Sequence, residues 1–431
     1  MQTTNKKNVL FGIFFLLSLA PIGIETAVFW NNLINLRDFF NFFRLLVPIF
    51  IFLILLLFFF KQLQLKKLLN NFFLFLYFII LLLTTLFNLE NLKDIDRLFL
   101  PFYCINYIFL TLLVLGTNDL KKEFNKFIFL QFLIITILAT YSLTNFFYLF
   151  LNLNLSDLNN LKIENNFYNQ NSNGLSRLLL IISLYILLVN KKNNYLYSSC
   201  IILNTLIILL QSKLVMFFLL LFFLGKIFFE KKIIKEKIKE IFLILFIPII
   251  ISFLISKINT IESSSNLRLV QEIKKDIKNS HNMQKLDLNV FTGLKIRIET
   301  WKEIINNSSK PIIGYGSQAD RHLTKNLPKH SQLAANSMIY AYACTGLLGV
   351  ISLIIIYLNI IKTSTITILR NNLKNKINKL QIFYIVVLLF LIIRSIVENS
   401  FAIWGIDFIL MVNCYLGLKN ILYKNTKNKI N

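Results

Sequence analysis

Long apolar runs without charge are the feature that most constrains how this chain can fold. Runs of roughly 18 or more such residues are typical of helices that cross a bilayer. The sequence contains them repeatedly, and phenylalanine alone supplies 43 of its 431 residues. A soluble domain in which 56% of the residues are hydrophobic would have to expose much of that surface. The sequence therefore predicts an all-α, polytopic integral membrane protein.

The boundaries of these runs predict about twelve transmembrane helices. Two of the runs are separated only by residues 211–213, which indicates a tight helical hairpin. The chain then divides into an N-terminal bundle of about nine spans (1–255), a large loop with short helices (256–335), and C-terminal helices with a tail (336–431). The predicted spans are 9–29, 45–60, 72–87, 98–115, 127–147, 174–189, 195–210, 214–229, 241–255, 336–358, 382–397 and 401–418.

The distribution of positive charge predicts the orientation of the spans. Loops on the cytoplasmic side of a membrane are enriched in Lys and Arg. If the N-terminus is cytoplasmic and the sides alternate, lysine clusters such as 121–126 and 226–239 fall inside, whereas the short outside loops are near neutral. We therefore expect both termini to be cytoplasmic and the large loop to lie on the outer side of the membrane. The net charge of +25 reflects this topology, and we expect no nucleic-acid partner.

The large loop is the one long polar interval in the chain. Residues 257–335 carry thirteen Lys or Arg against seven Asp or Glu, and they hold all three histidines, namely His281, His322 and His330. Apolar residues at 267–277 and at 296–305 keep helical spacing. Because long connections are usually functional or disordered, this loop is the first place to look for an active site.

Four short patterns in and after this loop carry possible chemistry. Arg297 and Trp301 are four residues apart and share a helical face. That helix should stop before Pro311, and residues 314–316 then form a turn at the end of the segment 311–316 (PIIGYG). Residues 336–340 (NSMIY) then enter a span that contains 346–349 (GLLG). Each pattern also has a structural explanation: an interfacial Trp anchor, a helix cap, or glycines that let helices pack.

Taken in order, these patterns resemble the O-antigen ligase and polymerase superfamily. Its members have an Arg-x-x-x-Trp helix, a Pro-leu-x-Gly-x-Gly turn, a His-Asn-x-x-leu motif and a Gly-ile-leu-Gly helix start, in one large periplasmic loop between late spans. Residues 169–174 (NQNSNG) resemble the Asn-rich start of a middle span in that family. Two positions depart from the pattern. Ala335 stands where ligases have His, and Lys213 stands where the family usually has Arg.

The resemblance implies a bacterial inner-membrane glycosyltransferase whose large loop is periplasmic. Such an enzyme moves glycan from an undecaprenyl-diphosphate carrier to a sugar acceptor, either a growing O-antigen chain or the lipid A core. A flippase for the same lipid-linked sugars, or a scaffold without catalysis, is the alternative. Since the leaving group is a diphosphate, cations can stabilise its charge without a metal or cofactor. We expect Arg297 and Lys213 to do so.

An acceptor hydroxyl could need a general base, and His330 is the first candidate, with His322 and Glu299 as others. A histidine in a loop is also commonly a solvated surface residue. Arg394 and Glu398, an i,i+4 pair, could instead neutralise one another. The four cysteines lie inside apolar runs without metal-ligand spacing. The residues we expect to bind substrate are Arg177, Arg321, Trp301, Asn336, Tyr340 and Arg394.

Overall fold

Every regular element that the structure describes is helical. The computed structural model describes residues 68–88, 95–116, 167–188, 194–209, 213–229, 242–251, 290–324, 327, 334–374, 379–399, 401–403 and 405–427, and these ranges contain no strand. The predicted all-α class is therefore confirmed for this part of the chain. The helices are α1 (Phe72–Phe87), α2 (Ile95–Gly116), α3 (Phe167–Leu188), α4 (Asn194–Leu209), α5 (Lys213–Phe229), a π-helical turn (Phe242–Phe246), α6 (Val290–Asn306), α7 (Ala319–Leu323), α8 (Ser337–Lys374), α9 (Lys379–Ser395) and α10 (Ile406–Lys427).

The helix bounds test several of the predicted spans. Helix α1 coincides with the predicted 72–87, whereas α8 continues sixteen residues past the predicted end at 358. Helix α10 begins at Ile406 instead of 401, because Phe401 and Ala402 form a buried turn before it. The predicted spans 9–29, 45–60 and 127–147 lie outside the described residues.

One described helical stretch, Ser337–Arg370 in α8, is both long and apolar enough to cross a membrane. Five shorter apolar stretches accompany it. Their bounds are Phe72–Phe87, Leu100–Phe109, Leu179–Leu188, Leu214–Phe223 and Phe242–Ile251. The number of spans and their orientation stay predictions.

The chain divides into two compact units, residues 1–152 with 297–431 (unit 1) and residues 153–296 (unit 2). In unit 1, α1 packs against α8 and α2, and α10 packs against α9 and α2. The rings of Tyr77 and Phe408 each meet the ring of Phe78 edge-on at 4.9 Å. Asn413 Nδ2 donates to the Tyr107 hydroxyl at 2.8 Å, and Tyr107 packs against Phe408, so a buried hydrogen bond lies beside these aromatic rings.

In unit 2, α4 packs against α3 and against the π-helical turn. The amide of Asn204 joins the three elements. Its Oδ1 accepts from Ser183 Oγ (3.0 Å) and its Nδ2 donates to the carbonyl of Ile244 (3.0 Å). Because an amide buried without partners is costly, this bonding specifies one packing of the three elements.

Helix α8 is broken at Gly346, whose φ of 62° and ψ of −158° are not helical. In an unbroken helix the carbonyls of Ala343 and Cys344 would accept from the residues four positions later. Here they accept instead from the N–H groups of Tyr315 (3.1 Å) and Gly316 (2.7 Å). The segment 310–316, which we call the inserted loop, therefore occupies the break.

The second half of α8 is joined to the inserted loop in the same way. The N–H of Leu347 donates to the carbonyl of Pro311 (2.9 Å), and that of Leu348 donates to the carbonyl of Ile312 (3.4 Å). Two helical bonds are thus replaced by four bonds to the loop. These backbone groups all remain hydrogen-bonded despite the break, as buried backbone groups must be.

Two glycines make this close approach possible. A Cβ on Gly346 would lie 2.3 Å from the backbone of Ile312, and one on Gly314 would lie 2.5 Å from the backbone of Cys344. Both glycines also have positive φ, a conformation that other residues rarely adopt. The PIIGYG and GLLG patterns therefore form one structural unit, in which the PIIGYG segment is inserted into a helix and is not a simple turn.

Candidate functional site

Helix α6 holds two separate segments of unit 1 through the face that carries Arg297 and Trp301. Arg297 Nη1 donates to the carbonyl of Val397 at 2.6 Å. Trp301 Nε1 donates to the carbonyl of Ala334 at 2.5 Å. The shared face predicted from their spacing is confirmed, and α6 ends at Asn306, before the proline, as predicted.

Asn336 is the N-terminal cap of α8. Its Oδ1 accepts from the N–H groups of Met338 (2.8 Å) and Ile339 (3.1 Å). Its Nδ2 donates to the carbonyl of Ile396 (2.8 Å), and its own N–H donates to Asn399 Oδ1 (2.9 Å). The capping explanation for this residue is therefore confirmed, and the same amide also holds the segment that follows α9.

The 396–399 segment receives side chains from two helices. Ser337 Oγ donates to the carbonyl of Glu398 at 3.0 Å, next to the bonds already described from Arg297 and Asn336. Because these donors come from α6 and from the start of α8, the segment joins the ends of both helices. Arg297, Trp301 and Asn336 are therefore brought together at one place.

Ala335 lies between two anchored residues. The N–H of Ala334 donates to Asp320 Oδ2 (3.0 Å), and the carbonyl of Ala334 accepts from Trp301. Asn336 is fixed on the other side. Held between them, Ala335 adopts a left-handed φ of 43°.

The carboxyl group of Asp320 is almost wholly buried. Burial raises its pKa above the ordinary value of 3.8, although the N–H of Ala334 and the charge of Arg321 act to lower the pKa. Asp320 lies in the first turn of α7, where an acidic side chain is favourable. Through its bond to Ala334 it positions the approach to α8.

Tyr340, a predicted substrate-binding residue, is buried, and its hydroxyl accepts from the N–H of Gln318 at 3.2 Å. The N–H of the neighbouring Ser317 donates to Thr85 Oγ1 in α1 at 2.8 Å. Tyr340 and Thr85 thus fix the segment between the inserted loop and α7.

Arg394 forms a buried ion pair with Asp407, and their Nε and Oδ2 atoms are 2.8 Å apart. The pairing with Glu398 that the i,i+4 spacing indicated is therefore wrong. The turn before α10 brings the first turn of that helix beside the last turn of α9, which puts Asp407 within reach of the guanidinium. Arg394 thus makes a buried structural contact in unit 1.

The remaining predicted residues are scattered. Arg321 and His322 are exposed on α7, and Glu299 is exposed on α6. Arg177 is buried on α3, and Lys213 is the first residue of α5, so both belong to unit 2. His330 lies outside the described residues.

Sequence reasoning missed Asp320 and Asn399, which hold the residues on either side of Ala335. The position of Asp320 at a helix start is a weak signal, and nothing in the local sequence of Asn399 points to its partner 63 positions earlier. Among the described residues, no group of three or more His, Cys, Asp or Glu could hold a metal ion.

The arrangement can hold a negatively charged group beside a partly exposed guanidinium. A guanidinium carries five N–H donors, and the bond from Arg297 to Val397 uses one of them.

Comparison of the chain with protein-family models, with curated proteins and with solved structures finds no match.

Proposed function

We propose that this protein is an inner-membrane glycosyltransferase of the O-antigen polymerase or ligase type. It would have about twelve transmembrane helices, cytoplasmic termini and a periplasmic loop at 256–335. Its donor would be a glycan on undecaprenyl diphosphate, and its acceptor a sugar of the growing O-antigen or of the lipid A core. No metal or cofactor takes part.

The observation that carries this proposal is the convergence of separate sequence patterns. The PIIGYG loop is bonded directly to the GLLG break. Trp301 is bonded to Ala334, and Arg297 to the 396–399 segment, which also accepts bonds from Asn336 and Ser337 at the start of α8. A chance likeness gives no reason for the loop and the break, which are separate in sequence, to bond to one another. Their contact supports the order of motifs on which the family resemblance rests.

The surface of α8 supports the membrane setting. Each exposed residue between positions 347 and 361 is Leu or Ile, whereas Ser352, Ser364 and Thr367 are buried. A surface helix of a soluble protein has the opposite arrangement, with its polar residues outward. An aliphatic outer face is what contact with lipid requires.

Arg297 is the residue we assign to the leaving diphosphate. A planar guanidinium suits bidentate binding of phosphate, and its charge would stabilise the leaving group as the sugar–phosphate bond breaks. The bond to Val397 would fix its position beforehand, which lowers the cost of orienting it during reaction. The proposed base, His330, would take the proton of the acceptor hydroxyl.

Substitutions on α6 test this assignment. Arg297→Gln removes the charge and, because the glutamine side chain is two atoms shorter, also the bond to Val397, so we expect loss of glycan elongation or attachment at unchanged protein level. Arg297→Lys keeps the charge without the planar fork and should retain only part of the activity. Lys302→Gln removes an exposed cation from the same helix and serves as the control. Full activity of Arg297→Gln would contradict the assignment.

Structural damage is distinguished from lost chemistry with Ser337→Ala, which removes another bond to the 396–399 segment without changing charge. If Arg297→Gln and Ser337→Ala lower the unfolding temperature and the activity in parallel, Arg297 acts only through structure. If Arg297→Gln alone abolishes activity while both variants unfold at the same temperature, the residue acts on the diphosphate.

A flippase is the second candidate, because transporters place substrates at discontinuous helices and α8 is discontinuous at Gly346. A deletion strain separates the two. Lipid-linked repeat units should accumulate on the periplasmic leaflet if the protein is a transferase and on the cytoplasmic leaflet if it is a flippase. Capping of the lipid core with a single unit would identify a polymerase, and absence of capping a ligase.

A further inference from the structure

Two large aliphatic side chains at the tip of the inserted loop face outward. Ile312 is 60% exposed and Ile313 is 50% exposed, and Pro311 before them is exposed as well. A loop tip in contact with water usually carries small or polar residues instead.

These isoleucines extend the exposed aliphatic face of α8. The backbone of Ile312 is bonded to Leu348, and that of Pro311 to Leu347, so the loop tip and the start of the second half of α8 are neighbours. Both leucines are exposed. The exposed face continues along the helix at intervals of three and four residues, through Ile351, Ile354, Leu358 and Ile361.

The length of this face fits within a bilayer. At about 1.5 Å per residue, the 14 steps from Leu347 to Ile361 span about 21 Å, less than the hydrocarbon core of about 30 Å. The exposed Lys362 follows at one end. At the other end the isoleucines of the loop lie beside Leu347, so a core that begins at Lys362 also includes the loop tip.

The residues that flank the loop tip are those that favour a lipid interface. Lys310 is exposed, donates to Asn88 Oδ1 (2.8 Å), and lies 5.4 Å from the centroid of the Tyr315 ring. Lysine and tyrosine are common where hydrocarbon meets the headgroups, since each combines an apolar body with a polar end.

We propose that residues 311–313 insert among the acyl chains of bilayer lipids and hold the inserted loop at the membrane surface. This inference rests on the membrane setting of the proposed function. A loop fixed in this way would set the depth of α6, and of Arg297, relative to the lipid headgroups.

Depth-dependent fluorescence quenching tests the proposal on the full-length protein in phosphatidylethanolamine–phosphatidylglycerol vesicles. The four native cysteines are buried, so a bimane label should attach to single introduced cysteines. The variants are Ile313→Cys at the loop tip, Leu358→Cys on the aliphatic face of α8, and Asn306→Cys at the exposed end of α6. If Ile313→Cys does not fold, Ile312→Cys replaces it.

We expect lipids with brominated chains to quench the labels at 313 and 358 at least twofold more than the label at 306, which aqueous iodide should quench instead. If 358 responds to the lipids and 313 behaves like 306, the insertion is refuted and the membrane setting stands. If 313 responds to neither quencher, another copy of the protein covers it and the proposal also fails. If 358 does not respond to the lipids, the membrane setting itself is refuted.

Discussion

Replacing Gly346 with alanine should separate the inserted loop from α8. The backbone at this position has φ 62° and ψ −158°, a region that is essentially restricted to glycine, and holding another residue there costs roughly 1–3 kcal/mol. The new Cβ would also lie 2.3 Å from the backbone of Ile312, which cannot move without breaking the loop's bonds. If α8 straightens, it regains two helical bonds and loses four. At roughly 0.5–1.5 kcal/mol for each of the two bonds lost on balance, straightening costs about 1–3 kcal/mol. Because straightening also relieves the strain, the two costs do not add, and the expected destabilisation is about 1–3 kcal/mol by either route.

Hydrogen exchange of the full-length protein in detergent measures this effect locally. The amides of Tyr315 and Gly316 should lose protection in Gly346→Ala, because their carbonyl partners return to the helix. Gly405→Ala is the matched control, since a Cβ there meets nothing within 4 Å. Because Gly405 directly precedes α10, its replacement should cost less than about 1 kcal/mol through a weaker cap. Unchanged protection of both amides in Gly346→Ala would refute the reasoning.

Three further changes test other contacts, each by the unfolding of the purified protein. Asp320→Asn cannot ionise. Because burial raises the pKa of Asp320, the contribution of this side chain to stability is fully present below pH 3.8 and is lost as pH rises through the raised pKa, so the variant should lose less stability than the native protein between pH 3.5 and 7. A larger loss in the variant would show that the carboxylate is stabilising. Asn204→Ala leaves two buried partners unbonded and should cost about 1–3 kcal/mol, whereas an effect below 0.5 kcal/mol, within the ordinary range of surface substitutions, would contradict the role of this amide. Arg394→Met leaves the buried Asp407 without its cation and should cost about 3–5 kcal/mol, most of it recovered in Arg394→Met/Asp407→Leu; a double variant no more stable than the single one would count against the ion pair.

The helices of unit 1 could be predicted where hydrophobicity alone decides their bounds. Helix α1 matches its prediction because polar residues, Asn71 and Asn88, stand directly at its two ends. The end of α6 before Pro311 followed from the chemistry of proline, which cannot continue a helix. In both cases the information is local in sequence.

The break in α8 could not be predicted in this way. The glycine lies inside the apolar run predicted at 336–358, and a glycine within such a run is usually accommodated in the helix. The break exists because a distant segment supplies replacement bonds, and that pairing is not encoded in either stretch alone. The same holds for Arg394, whose spacing indicated Glu398 while the turn before α10 supplied Asp407.

The structural roles of the residues limit what the family resemblance can establish about function. The glycine patterns that contribute most to the resemblance have an architectural role here, because Gly314 and Gly346 permit a loop to enter a helix. A loss of activity on replacing them would follow equally for a transferase, a flippase or a scaffold. The charge of Arg297 is different, because Arg297→Lys keeps it and Arg297→Gln removes it, while Ser337→Ala measures the effect of losing one bond to the same 396–399 segment. The proposed chemistry is supported only if loss of this charge lowers activity by more than loss of a bond to the 396–399 segment does.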